Sequence, residues 1–211
     1  MKKLENYYHG TTKENAKSIL GGNPLRHSIG NKEWLGNGFY LYKEKLYAFR
    51  WIVIKFRGKF KGQCTRKRLY TNYSMLLVKL NIENERIFSL LNAESMLEFE
   101  RTKEHLKRLN KQSDKLRDSE CPDGAVLNLM FEEMGYGKEY DAVEAVFFPG
   151  NRLYEMGESG RLFLAEYQLC VRNINCIGEI LDVTESFDFH KCYANLNTFN
   201  NARNQSNKYK T

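Results

Sequence analysis

The stretch "YYHGTTKENAKSILGG", residues 7–22, decides how the rest of the chain is read. Tyr7 and Tyr8 with their neighbours have the composition of a short strand. Thr11-x-x-Glu14 has the spacing of a helix capping box, and Ala16, Ile19 and Leu20 follow at helical intervals until Gly21-Gly22. Between strand and helix stand His9 and Gly10. An imidazole at a strand end followed by glycine presents a titratable ring and an unobstructed backbone edge to a small ligand. On its own the tripeptide His-Gly-Thr is equally a strand running into a capped helix, so the remaining segments must decide its meaning.

Downstream, the polar loop "NPLRHSIGNKEW" leads into "LGNGFYLY", where Gly36 and Gly38 flank a turn and Phe39 to Tyr42 read as an aromatic strand. "EKLYAFRWIVIKF" begins as a helix, although its β-branched centre leaves strand open as an alternative. "YSMLLVKLNI" (73–82) reads as a strand. "AESMLEFERTKEHLKRLNKQ" is a surface helix with Met96, Leu97, Leu106 and Leu109 as its apolar positions. "CPDGAVLNLMFEEMG" is a second, buried helix with Asp123 as cap candidate and an end at Gly135. "YDAVEAVFFPG", "RLFLAEYQLCVRN" and "CIGEILDV" read as three strands, and from about Ser186 the composition turns to Asn, Lys and Ser, a polar tail. Helices early and strands grouped late, with no internal repeat, predict an α+β fold.

The 211 residues suffice to bury one core, and 42% apolar residues with thirteen each of Tyr and Phe argue for a folded globule. No apolar run approaches the roughly 20 residues of a membrane span, so no membrane partner and a soluble, cytoplasmic protein are expected. The five cysteines (Cys64, Cys121, Cys170, Cys176, Cys192) form no CxxC pair; reduced thiols are expected, with Cys170 and Cys176 in the core. The net charge of +7 favours a polyanionic partner or anionic substrate. The excess is concentrated in "KFRGKFKGQCTRKRLY" (55–70) and in the tail "ARNQSNKYKT", runs that a solvated face would also explain.

Two further features join His9-Gly10-Thr11. In Gly36-Asn37-Gly38-Phe39-Tyr40 glycines permit close backbone approach and an aromatic face is available for stacking, though a turn before an aromatic strand has the same composition. In Glu166-Tyr167-Gln168 the residues two apart point to one strand face, so a carboxylate and an amide share one space. They would bind sugar hydroxyls or stabilise a developing cation. The four histidines (His9, His27, His105, His190) have no metal-ligand spacing, and no metal is expected. His105 falls on the charged helix; His27 is read as a surface residue, with contact to a phosphate of a bound ligand as the alternative.

In order and spacing these segments resemble the ADP-ribosyltransferase superfamily, on its poly(ADP-ribose)-polymerase-like, His-Tyr-Glu side. The resemblance rests on "YYHGTTKENAKSILGG", "WLGNGFYLY", "LYAFRWI" and "FLAEYQLCVRNINCI", and runs loosely from Leu4 to Ile180, with residues 57–141 unmatched. It implies split antiparallel β-sheets with flanking helices. Residues 1–185 would form one such domain carrying a basic, helical insertion at about 57–140, and residues 186–211 a flexible tail. NAD would be the co-substrate. The resemblance gives cofactor-binding roles to His9, Gly10, Thr11, Gly38 and Tyr40: His9 on the ribose, the Gly10 backbone on the carboxamide, Tyr40 against the nicotinamide ring. The catalytic set would be His9, Tyr40 and one of Glu166 or Gln168. The "EY" dipeptide anchors Glu166 at the charged position, whereas spacing to Ile177 puts Gln168 there, and Glu144 in "DAVEAVF" is a third candidate.

The chemistry is coherent with these residues. Cleaving a glycosidic bond to a cationic leaving group needs the leaving group gripped, the ribose oriented and one negative charge near the anomeric carbon. The resemblance implies an NAD-dependent ADP-ribosyltransferase, acting on a macromolecular acceptor such as RNA or DNA, in the setting of a bacterial toxin or phage-defence effector with an antitoxin or regulator as partner. NAD glycohydrolysis and a non-catalytic module binding NAD, ADP-ribose or RNA are the alternatives. An RNA 2′-phosphotransferase would need His and Arg pairs, for which only Arg172 offers itself.

Overall fold

Ten residues of β1 (Lys3–Thr12) run antiparallel to ten of β3 (Tyr73–Ile82), in register from Lys3↔Ile82 to Thr12↔Tyr73. The pair is the long axis around which everything else is arranged. The computed structural model describes residues 3–23, 25–30, 33–60, 66–112, 121–147 and 165–185. The polar tail from 186, Cys64, Cys192 and His190 lie outside the described residues.

Because pairing with β3 continues to Thr12, Thr11 is locked in the ladder and buried, and the cap of α1 (Lys13–Leu20) falls one residue later than the capping-box pattern predicts. The Thr12 hydroxyl accepts the Asn15 N–H at 3.2 Å. Gly21 and Gly22 stop the helix as expected, Gly22 at φ +82°. β2 (Phe39–Tyr42) is followed by α2 (Lys45–Phe60), which is helical through its β-branched centre. Ala48, Phe49, Ile52, Val53 and Phe56 recur at helical spacing and are all buried, so packing overrides the intrinsic preference of Ile and Val.

α3 (Arg66–Asn72) precedes β3, and a single 3-10 turn leads to β4 (Ile87–Ser89), three residues too short to be recognised from pattern. Then come α4 (Ala93–Gln112), α5 (Asp123–Glu132), α6 (Tyr136–Glu139), β5 (Ala142–Phe147), β6 (Glu166–Val171) and β7 (Ile177–Asp182). In α4 Phe99 is buried and Leu106, seven residues on, is half-buried against the same cluster, whereas Met96, Leu97 and Leu109 are exposed. Two of the four expected apolar positions thus belong to a neighbouring stripe, and a third is a helix-end residue. Pro122, not Asp123, occupies the cap position of α5, and Gly135 opens α6 rather than ending α5.

The strands form one seven-stranded sheet in the order β4-β5-β6-β2-β1-β3-β7. All pairs are antiparallel except β4–β5, which runs parallel (Ile87↔Ala142 to Ser89↔Glu144). The parallel pair follows from connectivity: the chain leaves β4, crosses through α4, α5 and α6, and returns beside it, the helical crossover such pairing requires. The fold is mixed α and β, as expected in class, with a mixed sheet in place of the purely antiparallel one. Residues 57–140, read as an insertion, contain β3, the full-length partner of β1, and β4 at the sheet edge.

One sheet face carries Tyr7, Phe39, Leu41, Leu76, Val78 and Leu169, and α1 packs over its β1–β3–β7 part through Ala16 and Ile19. The other carries two clusters. α2 packs over β1 and β3 through Ala48, Ile52 and Phe56 with Met75; α4 and α5 pack over β5 and β6 through Phe99, Leu127 and Met130 with Val143 and Cys170. Cys170 and Cys176 are both buried, in line with the sequence reading. Among the described residues no helix is long and apolar enough to cross a membrane.

Candidate active site

β1 and β2 share a single register pair, Tyr8↔Tyr42, and diverge beyond it. On the face between the α2 and α5 clusters this divergence opens a cavity of about 340 Å³. It is lined by His9 and Gly10 of β1, Tyr40 and Tyr42 of β2, Glu166 and Gln168 of β6, and Arg50, Trp51, Ile54 and Lys55 of α2, with Ser28, Glu33 and Trp34 from the loop before β2.

His9 closes the seam. Its Nδ1 lies 2.8 Å from the Tyr40 carbonyl oxygen, which can only accept, so the proton sits on Nδ1 and Nε2 keeps its lone pair. The ring stacks on Phe39 with centroids 4.3 Å apart. Burial pushes the imidazole down to about 4, so it is neutral at physiological pH.

Glu166 and Gln168 face the same space, as their two-residue spacing predicts. Both are buried, and the Gln168 amide donates to Glu166 Oε1 at 2.6 Å. The other carboxylate oxygen accepts from the Arg50 guanidinium. Burial raises the Glu166 carboxyl above its ordinary range, and Arg50 and Gln168 oppose that rise. Glutamate and glutamine therefore form one hydrogen-bonded unit in which Glu166 carries the charge.

The ring of Tyr40 lines the cavity, but its hydroxyl is turned away and fully used. It accepts the Leu35 N–H and donates to the Gly36 carbonyl, each at 2.8 Å. Gly36 (φ +74°) needs to be glycine twice over, since a Cβ there would also run into Asn128 Oδ1 and Arg172 Nη2. Gly10 has a packing reason beside any ligand-binding one: a Cβ would stand 2.7 Å from Ile52 Cγ1 and closer still to the Ala48 carbonyl. It lets α2 lie directly on β1.

Two expected ligand contacts are placed elsewhere. Thr11 lies within the β1–β3 ladder opposite Ser74, and Gly38 bridges Ser28 and packs on Cys170 and Val171. Neither lines the cavity. Glu144 pairs with Leu169, on the opposite sheet face from Glu166, and accepts from the Tyr167 hydroxyl. Pleat parity thus removes the third carboxylate candidate. Arg172 braces the loop before β2, donating to the Leu35 carbonyl at 2.9 Å and Asn128 Oδ1 at 3.2 Å, and stacks over Phe131. His105 is exposed, and His27 is half-buried with its Nε2 unpartnered. Among the described residues no group of three or more His, Cys, Asp or Glu side chains could hold a metal ion.

Sequence reasoning missed Arg50, Trp51, Trp34 and Lys55. Arg50 is a lone cation between Phe49 and Trp51 inside an apolar helical stripe, which signals a need for a buried partner without naming Glu166 as that partner.

No protein-family model matches the chain. No solved structure matches it either. The chain is 31% identical over 205 residues to the uncharacterized protein MJ0359 of the archaeon Methanocaldococcus jannaschii, covering 90% of this chain and 92% of that one. It belongs to the same family as that archaeal protein, at nearly full length.

Proposed function

We propose that the protein is an NAD-dependent ADP-ribosyltransferase. The observation that carries the reading is the meeting of His9, Tyr40 and Glu166, from three separate segments, around one cavity at the β1–β2 seam. In the proposed reaction the nicotinamide lies against Tyr40 and the Gly10 backbone, and the Nε2 lone pair of His9 accepts from a ribose hydroxyl. The Glu166 carboxylate supports the cationic ribose as the glycosidic bond breaks. Nicotinamide departs as a neutral base, and an acceptor nucleophile takes its place on the anomeric carbon. The excess of basic residues favours a nucleic-acid acceptor, and a toxin or phage-defence setting goes with that proposal.

Incubating the purified protein with NAD and following nicotinamide release tests the reading. The wild type is expected to release nicotinamide, Glu166→Gln to lose at least about a hundredfold, as for removal of one preorganised electrostatic group, and Gln168→Ala to lose less. Equal turnover by both variants and the wild type would sink the site assignment. The pairing of Glu166 with Arg50 and Gln168 favours a second reading, a non-catalytic module for NAD or ADP-ribose, because the carboxylate's charge is already compensated. Saturable NAD binding without nicotinamide release, with water or any acceptor, would select it.

A further inference from the structure

A second cavity, of about 250 Å³, lies beside the first and is lined by Glu33, Trp34, Pro122, Asp123, Gly124 and Phe147. Glu33 and Trp34 line both. Phe147 is the register partner of Glu166, and directly paired residues of an antiparallel ladder point to the same face. The second cavity therefore adjoins the carboxylate, about one strand spacing (roughly 4.8 Å) along the sheet. Its wall is aromatic: Trp34, 47% exposed, offers its ring as a single plate, with Phe147 packed against it at 4.7 Å between centroids and tilted by 44°. Its remaining side-chain polar groups are acceptors, the carboxylates of Glu33 and Asp123, the latter also paired with Lys103. At the mouth of the first cavity the polarity reverses, with Lys55 held over the Trp51 ring at 5.3 Å.

Resting on the transferase reading, we propose that this cavity is the acceptor subsite. It takes an unpaired nucleobase of single-stranded nucleic acid, one carrying an exocyclic amino group, with the backbone passing Lys55. A base has a flat face for Trp34 and amino protons for the carboxylates, and its phosphate calls for a cation a few ångströms away. A base held in a duplex cannot reach the plate, so the strand must be single or the base extruded. An arginine side chain would suit an aromatic plate with carboxylates, but a chain of net charge +7 with Lys55 at the entrance disfavours a cationic peptide. In the transfer, a bond forms from the acceptor nitrogen to the anomeric carbon as the bond to nicotinamide breaks. Nicotinamide leaves with that electron pair, and the proton from the acceptor nitrogen passes to Glu166.

Fluorescence anisotropy with labelled ten-nucleotide oligo-C, oligo-A and oligo-T, and with a labelled arginine-rich peptide, tests the proposal on the full chain. The wild type is expected to bind oligo-C or oligo-A more tightly than oligo-T. Trp34→Ala is expected to weaken that binding about tenfold or more, the usual cost of one lost base stack, and Trp34→Phe to restore most of it. Lys55→Ala should lower the slope of log affinity against log salt by about one. Unchanged affinity in Trp34→Ala, or tighter binding of the peptide than of any oligonucleotide, overturns it. Nicotinamide release by the wild type without oligonucleotide reports on the transferase reading separately. Release without oligonucleotide binding overturns the subsite alone; base binding through Trp34 without release overturns its role as an acceptor site.

Discussion

His9 is held neutral by burial, and this has a measurable sign. Its folded-state pKa of about 4 lies below the ordinary 6.5, so between those values the unfolded chain binds the proton and the folded one does not. Stability from this residue is complete above pH 6.5 and is lost as pH falls towards 4, by up to about 3 kcal/mol. Thermal unfolding should show a His9→Gln variant with a flatter pH dependence in that window than the wild type. Arg50 and Glu166 give the opposite slope when separated. Arg50→Met leaves a buried carboxylate unpaired and should cost about 3–5 kcal/mol at neutral pH. Its Glu166 pKa rises further, so the folded variant binds the extra proton and recovers stability as pH falls towards 4.5. Urea titrations at pH 7.5 and pH 5 would show a much smaller deficit at the lower pH; equal deficits would refute the pairing. At this scale His9, Tyr40, Glu166 and Gln168 were legible because each stands in a short pattern with a direction. Arg50 was not, because its role is set by a partner 116 positions away.

Among the elements, the loop before β2 is the most constrained. Asn37 accepts the Gly30 N–H and donates to Asn128 and Glu132, while Tyr40 and Arg172 hold its other end. Gly36→Ala combines a left-handed backbone, costing about 1–2 kcal/mol, with collisions against two of those braces. We expect a lower melting temperature and weaker binding at the cavity, read by thermal unfolding and by NAD titration. Thr12→Ala should cost about 1 kcal/mol in the same unfolding assay, the ordinary value of a helix cap, and Thr11→Ala should not act through the cap. Element types followed from periodicity wherever runs were long. The errors arose where a short-range rule met a long-range one. β1 stayed paired past Thr11 and β4 is too short to declare itself, while the segment of α2, left open between helix and strand by its β-branched centre, is helical throughout.

For the whole molecule, a ligand that binds only the folded chain raises its stability by mass action. NAD at a hundredfold excess over its dissociation constant should add about 2.7 kcal/mol, seen as a rise in melting temperature that Trp51→Ala diminishes. A flat response to NAD and ADP-ribose alike would count against the proposed co-substrate. The α+β class was legible from the distribution of elements along the chain. Strand order was not: neither the parallel β4–β5 pair nor the place of β3 beside β1 leaves a local trace. The convergence of the candidate residues was anticipated through resemblance, since no spacing rule links residues 9, 40 and 166.

The β1–β2 seam has a consequence for what an occupant would be to this protein. Down the middle of the sheet, among the described residues, the backbone supplies one rung, and the side-chain ties include His9 to the Tyr40 carbonyl, its stack on Phe39, the Lys43–Glu5 ion pair, and Arg50 reaching from α2 to β6. A molecule wedged there would stand where further rungs would otherwise be, and would be as much a part of the scaffold as a guest in it. Occupancy and cohesion of the two half-sheets would then rise and fall together. Amide hydrogen exchange on either side of Tyr8 and Tyr42 would report a bound ligand even if no chemistry followed.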